Sequence, residues 1–139
     1  MVTGRCLCGA VQYILKQDVK RIALCHCKYC RRAHGSAFAA SVLIKANDFE
    51  LETRTDKIAH FEARYFCSVC ATRLYNRSPS DAQYMNLMVA TLDVEPSGDP
   101  VAHMNVSSKA PWFRISDKGV QYPGFPSQQE IASAIDRLE

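Results

Sequence analysis

Hydrophobic and polar positions alternate along much of this chain. GRCLCGAVQYIL, residues 4–15, alternates apolar and polar side chains after a turn at Gly9. A period of two is strand periodicity, so the segment predicts strand around a tight knuckle. A further strand is expected over residues 20–25. KIAHFEARYF, residues 57–66, also alternates, whereas SAFAASVLIK (36–45) and YMNLMVATL (84–92) are continuous apolar runs of strand length. Such runs suit core strands. NDFELE, residues 47–52, suggests a short strand and TRTDK, residues 53–57, a polar turn. Two segments read as helix instead. CKYCRRAHG, residues 27–35, carries helix formers and ends in glycine, which predicts a short helix near 27–34 with a glycine stop. SQQEIASAIDRLE opens with a capping box, Ser127 and Glu130, then places Ile131, Ala134, Ile135 and Leu138 at helical spacing. It predicts a C-terminal amphipathic helix that covers the sheet. PSGDP (96–100) and PGFP (123–126) are loops by composition.

The expected fold is therefore mainly β, and 139 residues suit a single domain spanning 1–139. With 47% hydrophobic and 22% charged residues the chain reads as soluble and globular. No apolar run approaches the ~20 residues that a membrane-spanning helix requires. A net charge of +3, from 17 basic and 14 acidic residues, is too mild to indicate nucleic acid. MVTGRCLCGAVQY reaches polar residues before a signal-peptide apolar region can form, so export is not indicated and a cytoplasmic, reducing compartment is expected.

The seven cysteines change the picture most. All fall in clusters: Cys6 and Cys8 in CLC, Cys25, Cys27 and Cys30 in CHCKYC, and Cys67 and Cys70 in CSVC. An odd count without an export signal argues against a disulfide framework. A redox CxxC at Cys67 and Cys70 would need a following helix, yet ATRLYNRS reads as strand. Metal binding accounts for more, because zinc gathers thiolates at about 2.3 Å and closely spaced cysteines on a turn supply two ligands together. CLC and CSVC together complete a closed four-thiolate site, while CHCKYC offers three ligands from one segment. The expectation is two zinc ions per chain, one structural and one with an open position for chemistry. Spacing alone leaves open that His26, His34 or His103 closes the second site, that sulfurs bridge the clusters, or that a four-thiolate set holds an iron–sulfur cluster. An open zinc position among three thiolates suits a thiol substrate, which loses its proton on coordination.

GRCLCGAVQY, CHCKYCRRAHGS, FCSVCATRL and SSKAPWFRISD resemble, in order and spacing, the glutathione-dependent formaldehyde-activating enzyme family, which includes the centromere protein V domain. The resemblance spans roughly residues 4–126. It implies a β-tent fold, a structural zinc on Cys6, Cys8, Cys67 and Cys70, and a catalytic zinc on Cys25, Cys27 and Cys30. The implied activity is a carbon–sulfur lyase reaction that adds glutathione to formaldehyde, giving S-hydroxymethylglutathione. Ala71 departs from the family, which commonly has glycine directly after the last CxxC.

On this reading a glutathione-like thiol attacks an aldehyde carbonyl, and a general acid protonates the new alkoxide. His26 and His34 are candidates, although extended geometry between two ligands points His26 away from the metal. His60 and His103 are weaker, and His60 in a strand is most simply structural. Lys28, Arg31 and Arg32 could clamp glutathione carboxylates or form a solvated helix face. Trp112 could line the pocket or pack the core, and the resemblance, which includes its segment, favours the pocket. Two alternatives stand beside this reading: a zinc enzyme of the same fold acting on another thiol or carbonyl compound, and a non-catalytic zinc-binding interaction module.

Overall fold

The computed structural model describes residues 1–53, 55–127, 129, 130 and 133. In chain order the strands are β1 (Val2–Arg5), β2 (Gln12–Leu15), β3 (Ala23–Cys25), β4 (Ala39–Lys45), β5 (Phe49–Leu51), β6 (Ile58–Phe61), β7 (Arg64–Cys67), β8 (Arg73–Asn76), β9 (Tyr84–Met88), β10 (Ala102–Met104) and β11 (Val120–Gln121). Helix α1 covers Lys28–His34. The protein is mainly β, as its alternating pattern predicts. Two compact units form: Met1–Lys20 with Ser41–Pro96, and Arg21–Ala40 with Ser97–Glu139.

The first unit holds antiparallel strands. In one sheet β2 lies between β1 and β5, with Gly4 opposite Tyr13 and Tyr13 opposite Leu51. Alternation along β2 decides its orientation, since Tyr13 and Leu15 are buried while Gln12 faces out. A side chain at Gly4 would bring its Cβ to 2.2 Å from the Tyr13 hydroxyl and 2.6 Å from the Thr91 carbonyl. Glycine therefore lets Tyr13 pass beneath β1 and hydrogen-bond Thr91 Oγ1 at 2.7 Å. The second arrangement runs β4, β9, β8, β7, β6. Tyr13, Phe49, Tyr75 and Tyr65 make a continuous aromatic seam, with successive ring centroids 5.0, 5.3 and 4.7 Å apart.

KIAHFEARYF is two strands rather than one. Phe61 pairs with Arg64, and Glu62 takes the left-handed conformation with φ 50° at the intervening turn. The alternation continues through this hairpin, and the turn lacks the glycine or asparagine that usually marks one. YMNLMVATL likewise ends its strand at Met88 and continues into a 3₁₀ turn over Val89–Thr91.

The second unit is built from parallel pairs: Ala23 opposite Ala102, Cys25 opposite Met104, and Ala102 opposite Val120. Parallel strands need long connections, so β10 and β11 leave little local signal. Helix α1 follows β3 closely and behaves as its sequence predicts. Cys27 is its N-cap, accepting from the Cys30 amide, and Gly35 (φ 59°) closes it with its N–H directed to Arg31 and Arg32 carbonyls. Arg31, Arg32 and His34 occupy its last turn, where positive charge favours the helix dipole.

The capping box at the C-terminal segment is formed: the Ser127 amide donates to Glu130 Oε2 at 2.6 Å, and the Glu130 amide to Ser127 Oγ at 3.1 Å. Ile131, Ala134, Ile135 and Leu138, on which the expected amphipathic helix depends, lie outside the described residues. Among the described residues no helix is long and apolar enough to cross a membrane.

Candidate metal centres

In the first unit, the turn after β1 and the turn after β7 carry paired cysteines toward one point. Sγ atoms of Cys6, Cys8, Cys67 and Cys70 all lie within 4.8 Å of one another. Cys6 and Cys8 are 3.6 Å apart, and Cys8 and Cys67 3.9 Å. Sulfurs at the corners of a zinc tetrahedron with bonds of about 2.3 Å stand roughly 3.8 Å apart, so these spacings fit an ion and greatly exceed a covalent S–S bond. The donor set is therefore suited to zinc.

Each knuckle is a tight backbone turn. The Gly9 amide reaches the Cys6 carbonyl at 3.1 Å, and the Ala71 amide the Cys67 carbonyl at 2.8 Å. Both turns require a left-handed residue after the second cysteine: Gly9 has φ 79° and Ala71 φ 62°. Glycine tolerates this region freely, whereas a Cβ meets the neighbouring carbonyl. Ala71→Gly is consequently expected to stabilise the zinc-loaded protein by roughly 1 kcal/mol. A denaturant titration checks it, and an unchanged or lowered midpoint would show that Ala71 carries no strain. Amide and hydroxyl donors complete the setting. Val11 N–H approaches Cys6 Sγ at 3.2 Å, and Thr72 Oγ1 lies 3.1 Å from Cys70 Sγ. That threonine hydrogen bond draws the Cys70 thiol down to about 5.

In the second unit, β3 ends at Cys25 and α1 begins beyond Cys27, so one strand-to-helix corner gathers Cys25, Cys27 and Cys30. Their three Sγ atoms lie within 4.8 Å of one another. Among the described residues no histidine, aspartate or glutamate joins the group, so neither His26, His34 nor His103 completes it. Cys25 is buried; Cys27 and Cys30 are partly exposed. A hydrogen bond from Cys30 pulls the Cys25 thiol down to about 5 despite burial, and the same contact pushes Cys30 upward. Three sulfurs this close share negative charge poorly. A cation among them would let all three ionise, so this set also suits zinc. Asn105 Nδ2 donates to Cys25 Sγ at 3.4 Å.

The other expected site residues are distributed unevenly. Lys28 and Arg32 are exposed on α1, and His34 is half-buried. Arg31 turns inward: its Nε donates to the His26 carbonyl at 3.2 Å and its NH2 to the Ser108 carbonyl at 2.8 Å. It clamps backbone in this structure. Trp112 is 72% exposed. Its neighbour Lys109 directs Nζ to the Ala110 and Phe113 carbonyls.

His26 and His103 are both fully buried. His26 Nε2 is 2.8 Å from His103 Nδ1, and His103 Nε2 is 2.9 and 3.0 Å from the two Asp117 oxygens. Burial, then electrostatic effects from His103 and Lys109, lower the His26 imidazole to about 4. Burial alone would raise Asp117, but hydrogen bonds from His103 and the Gly119 amide outweigh it and hold the carboxyl below its ordinary value. Asn105 and Asp117 escape a motif search. Their local cues are an asparagine directly after a strand, which adopts φ 56°, and the Asp-Lys-Gly turn in which Asp117 Oδ1 accepts from the Gly119 amide at 2.8 Å.

A mainly β fold carrying one four-thiol and one three-thiol cluster, each able to hold zinc, defines a class of cysteine-rich metal-centre protein. Within that class, residues 1–108 match the family described as glutathione-dependent formaldehyde-activating enzyme, and the chain belongs to that family. A relative from Halomonas elongata, named "Putative glutathione-dependent formaldehyde-activating enzyme", is 22% identical over 142 residues, covering 92% of this chain and 90% of its own. A crystal structure of a Rhodobacter sphaeroides protein shares the fold, with a TM-score of 0.53 at 23% identity, over 68% of this chain and 91% of that one.

Proposed function

We propose that residues 1–139 act as one cytoplasmic zinc-enzyme domain that adds a glutathione-like thiol to formaldehyde or a related aldehyde, a carbon–sulfur lyase reaction in the reverse sense. The observation that carries this reading is the set of three thiols at Cys25, Cys27 and Cys30 without a fourth ligand-type side chain among the described residues. The complete cluster of Cys6, Cys8, Cys67 and Cys70 is assigned the structural ion. Family membership and the name of the Halomonas elongata relative support the choice of glutathione and formaldehyde.

Cys25, Cys27 and Cys30 would hold the zinc ion, which would supply the Lewis acidity that lowers the pKa of a substrate thiol and keeps it nucleophilic at neutral pH. The chain's residues do the rest. Asn105 donates to Cys25 Sγ, and the Cys30 amide donates to Cys27 Sγ, so two of the three sulfurs have their negative charge stabilised from the side. The exposed cations Lys28 and Arg32 on α1 are assigned to the substrate carboxylates, with Arg31 holding the corner to the loop at Ser108. His34 and Trp112 are assigned to the rim.

Exchange NMR on glutathione, formaldehyde and S-hydroxymethylglutathione at equilibrium tests the reading. The zinc-loaded protein is expected to accelerate exchange above the uncatalysed background. No acceleration with both ions bound would sink the proposed substrates.

A further inference from the structure

His26 lies between two thiols of the Cys25 cluster in the chain, and its ring ends a hydrogen-bonded series of three buried or partly buried groups. Working inward from Asp117 gives one proton order for two rings that carry a single proton each. The ionised carboxylate only accepts, so His103 Nε2 carries hydrogen. With a single proton on the His103 ring, its Nδ1 is left with a lone pair that accepts from His26 Nε2–H. His26 is left with a bare Nδ1. That atom is buried and has no hydrogen-bond partner among the described residues.

Several independent features hold this arrangement. A Cβ at Gly119 would stand 2.9 Å from Asp117 Oδ1, 3.1 Å from His103 Cδ2 and 2.6 Å from the Pro100 carbonyl, so a side chain there would crowd the pair. His103 is fixed on β10 and the His26 amide donates to the Met104 carbonyl at 2.9 Å, which anchors both backbones. Phe38 and Phe113 contact the His26 ring at centroid distances of 5.8 and 6.1 Å and each other at 5.3 Å. Both are partly exposed, so this aromatic cover borders solvent. Leaving a buried acceptor unpaired costs about 1–3 kcal/mol, so this nitrogen calls for a donor from a ligand or an ordered water.

We infer that His26 contacts the substrate, its bare Nδ1 accepting a hydrogen bond from the hydroxyl of the hydroxymethyl group, and that His103 and Asp117 are positioning residues that lock its tautomer. The inference rests on the reaction proposed above for the Cys25 site. It assigns the carboxylate the task of keeping a proton off the substrate-facing nitrogen, which a lone histidine exchanging tautomers would not do.

Two-bond ¹H–¹⁵N NMR on zinc-loaded, histidine-labelled protein reads the tautomers directly. Both rings are expected to carry hydrogen on Nε2, with His26 Nδ1 unprotonated and its resonance moving when glutathione and formaldehyde are added. Asp117→Asn offers an amide that donates to His103 Nε2 and so reverses the series. It is expected to slow catalysed exchange at saturating glutathione by roughly 10- to 100-fold with KM and both zinc ions retained, while Asp117→Glu recovers part of the rate. A protonated His26 Nδ1 in the wild type overturns the inference, as does full exchange activity in Asp117→Asn. Should Asp117→Asn fail to fold, the wild-type spectrum still decides. A wild type that accelerates no exchange overturns the proposed reaction instead, and its Nδ1 resonance separately decides whether the lock exists.

Discussion

Cys27→Ser is expected to abolish accelerated exchange and to release one of two zinc ions while leaving the fold in place. Two roles of Cys27 separate in this substitution. As a ligand its sulfur is one of three within 4.8 Å, and removing it leaves only two protein donors from that segment. A hydroxyl is a poor zinc ligand beside a thiolate, so affinity should collapse. As an N-cap, however, Cys27 accepts from the Cys30 amide at 3.3 Å, and serine is among the best residues for that task. Helix α1 should therefore persist. Native mass spectrometry gives the metal count, circular dichroism the fold, and exchange NMR the rate. Retention of two ions together with a wild-type rate would rule out this cluster as the catalytic centre.

The second large effect concerns stability. Cys67→Ser is expected to remove the other ion and to destabilise the chain by on the order of 5 kcal/mol, enough to consume much of a typical domain's margin. Cys67 is fully buried at the end of β7, and its sulfur approaches that of Cys8, 59 residues earlier. Ordering that long loop has an entropic cost that a shared ion offsets in the folded state alone. The buried serine hydroxyl would also face the remaining thiols without an ion between them. A thermal melt with metal counting checks this. An unchanged midpoint with two ions bound would mean that these four thiols do not form a structural centre.

These two substitutions differ in outcome because the clusters differ in construction. Cys25, Cys27 and Cys30 sit on a single corner between β3 and α1, where backbone hydrogen bonds and the Gly35 stop hold the shape. Cys6, Cys8, Cys67 and Cys70 instead belong to two turns far apart in sequence, so an ion held by all four would close the structure.

Local chemistry explains what could be read directly. Cysteine spacing is fixed by a few covalent bonds, so CLC, CSVC and CHCKYC announce their turns, and counting ligands divides them four and three. The same locality makes the Ser127–Glu130 capping box and the Gly35 helix stop legible. Period-two alternation is also local, which is why most strands were predictable. It fails at Glu62 because a two-residue turn preserves the alternation on both sides.

Tertiary structure decided the remainder, where the partners are far apart in sequence. His26 meets His103 across 77 residues and Arg31 meets Ser108 across the same separation, both through the parallel register of β3 against β10. Neither the inward turn of Arg31 nor the exposure of Trp112 is written in residue type, since a cation or an aromatic ring suits a pocket or a surface equally. By itself, then, the sequence determined the donors, their grouping and the family. Strand register, a non-local balance of burial and loop closure, decided which buried histidine faces which carboxylate and left His26 Nδ1 without a partner among the described residues.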